Sequence, residues 1–143
     1  MDTNSTLNEG ITVTDDEENY ATALDVAARL RGSRLEQILE PSRGEPANAA
    51  DFKRLATMHT FGDTWSRTDV LDTRTRALIS VTIAATSGAH LRGQLHIALN
   101  NGVTPEEIVE TFIHIAAYAG AGRAFDGYQI AQQVFREAAQ QSP

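Results

Sequence analysis

The chain has 143 residues, enough for one domain with a real core, and it is acidic: 12 Lys and Arg stand against 19 Asp and Glu, for a formal net charge of −7. That balance, with no clustered basic tract, excludes a non-specific nucleic-acid binder, because phosphate binding draws on grouped Lys and Arg. A sequence without cysteine has no disulfides, thiolate metal sites, iron–sulfur clusters or thiol redox catalysis.

Apolar residues make up 41% of the chain and aromatics only 6%, and with alanine abundant the composition suits helices packed closely through small side chains. The first 17 residues are polar and acidic, and an arm is expected there, since such a segment buries too little apolar surface to offset its ordering entropy. They also lack the basic start and apolar run of a secretory signal, and no stretch approaches the ~20 apolar residues of a membrane span. The expectation is a cytoplasmic protein without a membrane partner, with residues 18–143 as a single helical domain.

A first helix is expected over Glu18 to Arg31, with Ala23, Leu24, Val26, Ala27 and Leu30 as its stripe, Gly32 as its stop, and the acids Asp15 to Glu18 serving its positive end. Pro41, Gly44 and Pro46 punctuate a connector. A second helix over Asp51 to Phe61 carries Phe52, Leu55, Ala56 and Met58 at helical spacing and is expected to stop at Gly62. The third, Thr73 to Ser87, is apolar on more than one face and reads as central. The fourth, Ala89 to Asn100, closes at Asn101-Gly102. Thr104, Pro105 and Glu107 then form a capping box with proline at the first helical position, opening a fifth helix that runs to Tyr118. Gly120 and Gly122 are expected to break the chain before a sixth helix, Arg123 to Ala139, with Phe125, Tyr128, Gln132 and Phe135 on one stripe. No alternating strand pattern competes, so the fold class is all-α with about six helices in a compact bundle.

Three segments resemble the carboxymuconolactone decarboxylase family: Leu71-Asp-Thr-Arg-Thr-Arg-Ala-Leu-Ile-Ser-Val-Thr-Ile-Ala-Ala, Leu95-His-Ile-Ala-Leu-Asn-Asn-Gly-Val-Thr-Pro-Glu-Glu-Ile, and His114-Ile-Ala-Ala-Tyr-Ala-Gly. The upstream Phe61-Gly-Asp-Thr-Trp-Ser-Arg is similar to the segment that precedes the family's core helix in its decarboxylase branch. The resemblance implies an alkyl-hydroperoxidase D-like fold, assembled as a ring-shaped homo-oligomer, a trimer or hexamer. It implies no cofactor. The thiol peroxidase branch of the family uses a Cys-x-x-Cys pair with a His and a Glu; here the corresponding region reads Thr86-Ser-Gly-Ala-His90, and the Glu position is Ala77. The decarboxylase branch more commonly has a His eight residues before the Gly of Asn-Asn-Gly, a position held here by Gln94, with His96 two residues later and His90 four earlier.

Decarboxylation of a small carboxylated lactone such as 4-carboxymuconolactone needs a group to bind carboxylate, stabilisation of the growing enolate, and a proton delivered to carbon. Arg suits the first task through its planar fork, and His the last. Arg92 and His96 are four apart on one helix face and are the favoured pair, as clamp and proton donor; the alternative is an Arg92 ion pair beside an exposed His96. Glu110, His114 and Tyr118 form a second stripe, with His114 a further catalytic candidate or a satisfied core or interface residue. His90, Gln94, His59, Trp65 and Tyr118 are candidate substrate-binding residues, Trp65 equally a packing anchor. Arg67, Arg74 and Arg76 are candidates for a second carboxylate. Four histidines without a His-x-x-x-His or Glu-x-x-His pattern predict no metal site, and no glycine-rich loop follows a strand. Two other readings stay open: a non-redox lyase, isomerase or cyclase of secondary metabolism on the same scaffold, and a non-catalytic ligand-binding ring protein.

Overall fold

A computed structural model describes residues 5–141. Every regular element among them is helical, and the chain divides into two compact units, Met1–Thr68 and Asp69–Pro143. None of their helices is long and apolar enough to cross a membrane.

The first unit contains α1 (Ser5–Arg31), the short α2 (Glu36–Leu39) and α3 (Ala49–Thr57), which continues without a break into a π-helical segment, Met58–Trp65. The stripe Ala23, Val26, Ala27 and Leu30 is buried, as its spacing requires, and α1 ends at Gly32 in the left-handed region (φ 72°) with its amide on the Ala28 carbonyl. The start of the helix differs from expectation. It begins at Ser5, so the expected arm is helix from that residue on; residues 1–4 of the arm lie outside the described residues. Asp16, Glu17 and Glu18 therefore sit within α1 rather than at its positive end, whose influence fades within the first turn.

Gly62 does not stop its helix. A Cβ placed there would stand 3.3 Å from the Asn19 carbonyl oxygen and 3.4 Å from the Ala23 Cβ, so the glycine is what lets α1 pack closely on the π-helical segment. The side chain of Arg54 on α3 lies over the Tyr20 ring of α1 at 4.3 Å from the centroid, a cation–π contact between these two helices. Phe52, Leu55 and Ala56, three of the four residues of the expected stripe, are exposed instead, Phe52 at 71%.

The second unit is a four-helix assembly of α4 (Thr73–Ser87), α5 (Leu91–Asn100), α6 (Pro105–Ala119) and α7 (Ala121–Gln141). The Asp72 carboxylate accepts from the Thr75 amide at 2.7 Å to open α4, and Gly88, left-handed at φ 78°, closes it. The expected capping box of α6 is present in both directions: Thr104 Oγ1 accepts from the Glu107 amide and the Thr104 amide donates to Glu107 Oε1, each at 3.1 Å. The α4 helix packs on each of the other three, as a central helix should, and buries Ala77, Val81, Ala84 and Ala85 with Leu95, Ala98, Ile108, Phe112 and Val134. Ile79 and Ile83 nevertheless stay exposed, so α4 is not covered on every side by the other helices of this unit.

Two expectations about α7 are corrected. Gly120, at φ 100°, separates it from α6, but Gly122 lies inside the helix. The face turned inward is Ala124, Gly127, Ala131 and Val134, with Phe125 exposed and Tyr128 and Phe135 half-buried on the flank. Small residues win that face because the helix–helix approach is too close for rings: a Cβ on Gly127 would fall 2.6 Å from Phe112 Cε1 and 3.2 Å from Leu91 Cδ2. Phe125 and Tyr128, with Val109, Phe112, Ile113 and Ala121, line an apolar groove of about 220 Å³ between α6 and α7.

Candidate active site

The arrangement with most chemistry lies on the outer face of α5. Arg92 and His96, one turn apart, both turn towards α7 and meet one carboxylate there. Arg92 Nη2 donates to Glu137 Oε1, and His96 Nε2 stands 3.7 Å from Glu137 Oε2. The side chains of Arg92, His96 and Glu137 are 48%, 43% and 39% exposed, so the cluster is held by two helices yet open to a small molecule. The Arg92 guanidinium, donating a hydrogen bond, holds the Glu137 carboxyl below the usual carboxylate range, with a smaller electrostatic contribution from His96; Glu137 in turn raises Arg92. Glu137 was not legible as a site residue, because its partner lies 45 positions away in the chain.

Gln94 lies between this pair in the chain, and His90 two residues before it. Gln94 is half-buried, and its side-chain oxygen is buried without a hydrogen-bond partner among the described residues. His90 is not the first turn of α5 but its N-cap, with an exposed side chain that makes no capping bond. Its backbone is left-handed (φ 53°), a conformation in which His is over-represented among non-glycine residues, and this lets the chain turn from α4 into α5 within three residues, Gly88 to His90.

The second stripe is a separate feature. His114 on α6 is exposed rather than a core residue, and its ring lies 5.0 Å from that of Tyr118, which is itself open to solvent. With Glu110, Thr111 and the α4 residues Leu78 and Thr82, His114 lines an open groove of about 410 Å³. One end of that groove is Glu107, occupied by Arg74, whose guanidinium also reaches the Gly102 carbonyl at 3.4 Å. Of the arginines considered for a second carboxylate, Arg74 is therefore engaged in tying α4 to the start of α6, and with the Thr104 amide it holds Glu107 below the usual carboxylate range.

Trp65 and His59 belong to the first unit. Trp65 is 6% exposed, as a packing anchor would be. His59 is open to solvent, with Nδ1 at 3.7 Å from Asp63 Oδ2 one turn on. No group of three or more His, Asp or Glu side chains among the described residues is placed to hold a metal ion.

Residues 50–133 match the profile of the carboxymuconolactone decarboxylase family, a span that includes His59, Trp65, all of α4, α5 and α6 and the first part of α7, and stops short of Glu137. The chain is 28% identical over 129 residues to the 4-carboxymuconolactone decarboxylase of Acinetobacter baylyi, covering 85% of this chain and 90% of that protein. It is 32% identical over 96 residues to the nitrosuccinic acid decarboxylase of Metarhizium robertsii, covering 63% of this chain and 66% of that protein.

Proposed function

For a chain that belongs to the carboxymuconolactone decarboxylase family, we propose a cofactor-independent decarboxylase acting on a small carboxylated substrate, with Arg92 as the carboxylate clamp and His96 as the proton donor. The observation that carries this reading is the convergence of Arg92 and His96 on a single carboxylate, that of Glu137: a site able to seat one carboxylate between a guanidinium and an imidazole has the parts the reaction needs.

The two similar enzymes bear the names of substrates with shared chemistry. In a carboxylated unsaturated lactone, or in a nitro acid, the carbon that loses carbon dioxide is joined to a group able to take up an electron pair, a conjugated carbonyl or a nitro group. The carbon–carboxylate bond breaks, carbon dioxide leaves, and the pair passes into that acceptor as an enolate or nitronate. A proton from His96 then completes the carbon, and solvent returns the proton to the imidazole. Arg92 holds a carboxylate in its fork and so orients the breaking bond. The apolar groove between α6 and α7, with Ile113 and Phe125 exposed beside it, supports a homo-oligomer, since contiguous apolar surface of this kind marks interfaces; light scattering on purified protein reads that state directly.

The test is a mass-spectrometric assay for carbon dioxide loss without added cofactor, using 4-carboxymuconolactone generated in situ and nitrosuccinate in parallel. His96→Gln is expected to lower kcat by about two orders of magnitude or more, the usual contribution of a general acid, and Arg92→Ala to raise KM. Unchanged turnover in both variants removes the proposed roles.

A further inference from the structure

Glu137 lies where an incoming carboxylate would have to go. We infer that its carboxylate is a built-in occupant of the anion position between Arg92 and His96, holding the guanidinium until a substrate carboxylate displaces it and then serving the imidazole. The inference rests on the reading of Arg92 as the carboxylate clamp.

Three observations carry it. The carboxylate is shared unequally: Oε1 is hydrogen-bonded to Arg92, whereas Oε2 stands 3.7 Å from His96 Nε2, beyond a hydrogen bond but close enough to become one after a change of side-chain rotamer. The group is weakly anchored. Among the described residues the charged groups its carboxylate meets are Arg92 and His96, and all three side chains are more than a third exposed, a setting in which an ion pair contributes little to stability and is readily exchanged. The comparable pair at Arg74 is built otherwise, because the Glu107 carboxylate also accepts the Thr104 amide of the capping box and cannot leave without uncapping α6. Glu137 has no such tie. Its carboxyl is ionised at neutral pH, held there by Arg92 itself, so it competes with a substrate as an anion of the same chemistry.

A ligand that must displace an internal competitor binds with an apparent affinity reduced by the fraction of protein in which the site is open. Removing the competitor's charge should therefore tighten binding, the reverse of what the loss of a merely structural ion pair would do. The probe is succinate, titrated into wild type, Arg92→Ala, Glu137→Gln and Glu137→Asp. The Arg92 side-chain N–H and the His96 ring protons are followed by NMR, and thermal melts confirm that each variant is folded. Glu137→Gln is expected to bind succinate at least about threefold more tightly than wild type. Glu137→Asp, with a shorter reach, should fall between them and carries the test if the Gln variant is unfolded. In wild type, the His96 and Arg92 signals should move together at the same succinate concentration as Glu137 passes from one to the other. Unchanged or weaker binding in both Glu137 variants, with binding lost in Arg92→Ala, overturns the internal occupant and leaves the clamp standing. Binding that survives in Arg92→Ala, or no binding in any variant, removes the clamp and this inference with it.

Discussion

The two units teach different things about how a helix announces itself. In the second, the ends are written locally: the Asp72 side chain caps α4, Gly88 closes it, Thr104 and Glu107 box the start of α6, and Gly102 and Gly120 take positive-φ conformations between helices. In the first, neither α2, α3 nor the π-helical segment has a side-chain capping bond at its start, and the helix that α3 begins runs on through Gly62 in the π-helical segment rather than ending there. Where caps terminate helices, the boundary is a property of four or five consecutive residues. Where they do not, packing against another helix sets it.

The largest expected difference between the units lies in what their apolar residues do. Leu95, fully buried among α4, α5 and α7, should cost about 2–5 kcal/mol when changed to Ala, by lost transfer energy and the cavity left behind. Phe52, at 71% exposed, should change stability by less than about 0.5 kcal/mol on the same truncation. Chemical denaturation of the two variants measures both, and a large loss at Phe52 would mean that another copy covers this face of α3.

The glycines sharpen the contrast. Gly127→Ala drives a methyl group to 2.6 Å from the Phe112 ring, so an overpacking cost of about 1–3 kcal/mol is expected. Gly62→Ala meets its nearest atoms at 3.3 and 3.4 Å, where a shift of a few tenths of an ångström suffices, and its cost should be smaller. Equal losses in thermal melts would show that α1 is as tightly seated on the π-helical segment as α7 is on α6.

Capping is a third probe. Thr104→Ala removes a made bond and should cost about 1 kcal/mol, whereas Asn48→Ala, at the start of α3, removes none and should stay within about 0.5 kcal/mol. If Asn48 costs as much as Thr104, the first unit has a cap after all.

The smallest effect is pH. Asp72, held down chiefly by its hydrogen bonds from Thr75, and Glu107 and Glu137, held down chiefly by Arg74 and Arg92, all lie below the usual carboxylate range, against Glu45, held by Lys53, in the first unit. A carboxyl whose folded value is lowered contributes stability that is fully present above its unfolded value, about 4, and is lost as pH falls through the folded one. None of the four groups is buried, so the effect is modest. Amide signals followed by NMR from about pH 6 to pH 3 should show Thr75 and Glu107, at the capped helix starts, losing protection before the helix interiors. Interior amides opening first would place the acid-sensitive interactions elsewhere.

Much of the second unit could be read from local residues. The bounds of α4 and the capping box of α6 need only neighbouring positions, and the Arg92 and His96 pairing needs only their spacing of four. The family follows from the ordered motifs between Leu71 and Gly120. The partner of that pair is another matter, since Glu137 lies 45 residues from Arg92, and Arg74 and Glu107 are 33 apart. No periodicity reports which acid on α7 faces which cation on α5, because that depends on how the two helices are rotated against each other. The aromatic spacing on α7 misleads for the same reason: hydrophobic pattern identifies an apolar face, but with alanine and glycine on one side and rings on the other, the distance between helix axes decides which side turns inward.

By itself, then, the sequence determined an all-helical chain, the capped ends of its second unit, the exclusion of thiol chemistry and the family, because each of these rests on residue types and short spacings. Only the tertiary structure decided that α1 begins at Ser5, that Gly62 is a contact point rather than a stop, that Trp65 is buried and His114 exposed, and that Arg92 and His96 share the carboxylate of Glu137. Those facts arise from helix against helix, where the closest allowed approach and the pairing of charges are settled between residues far apart in the chain.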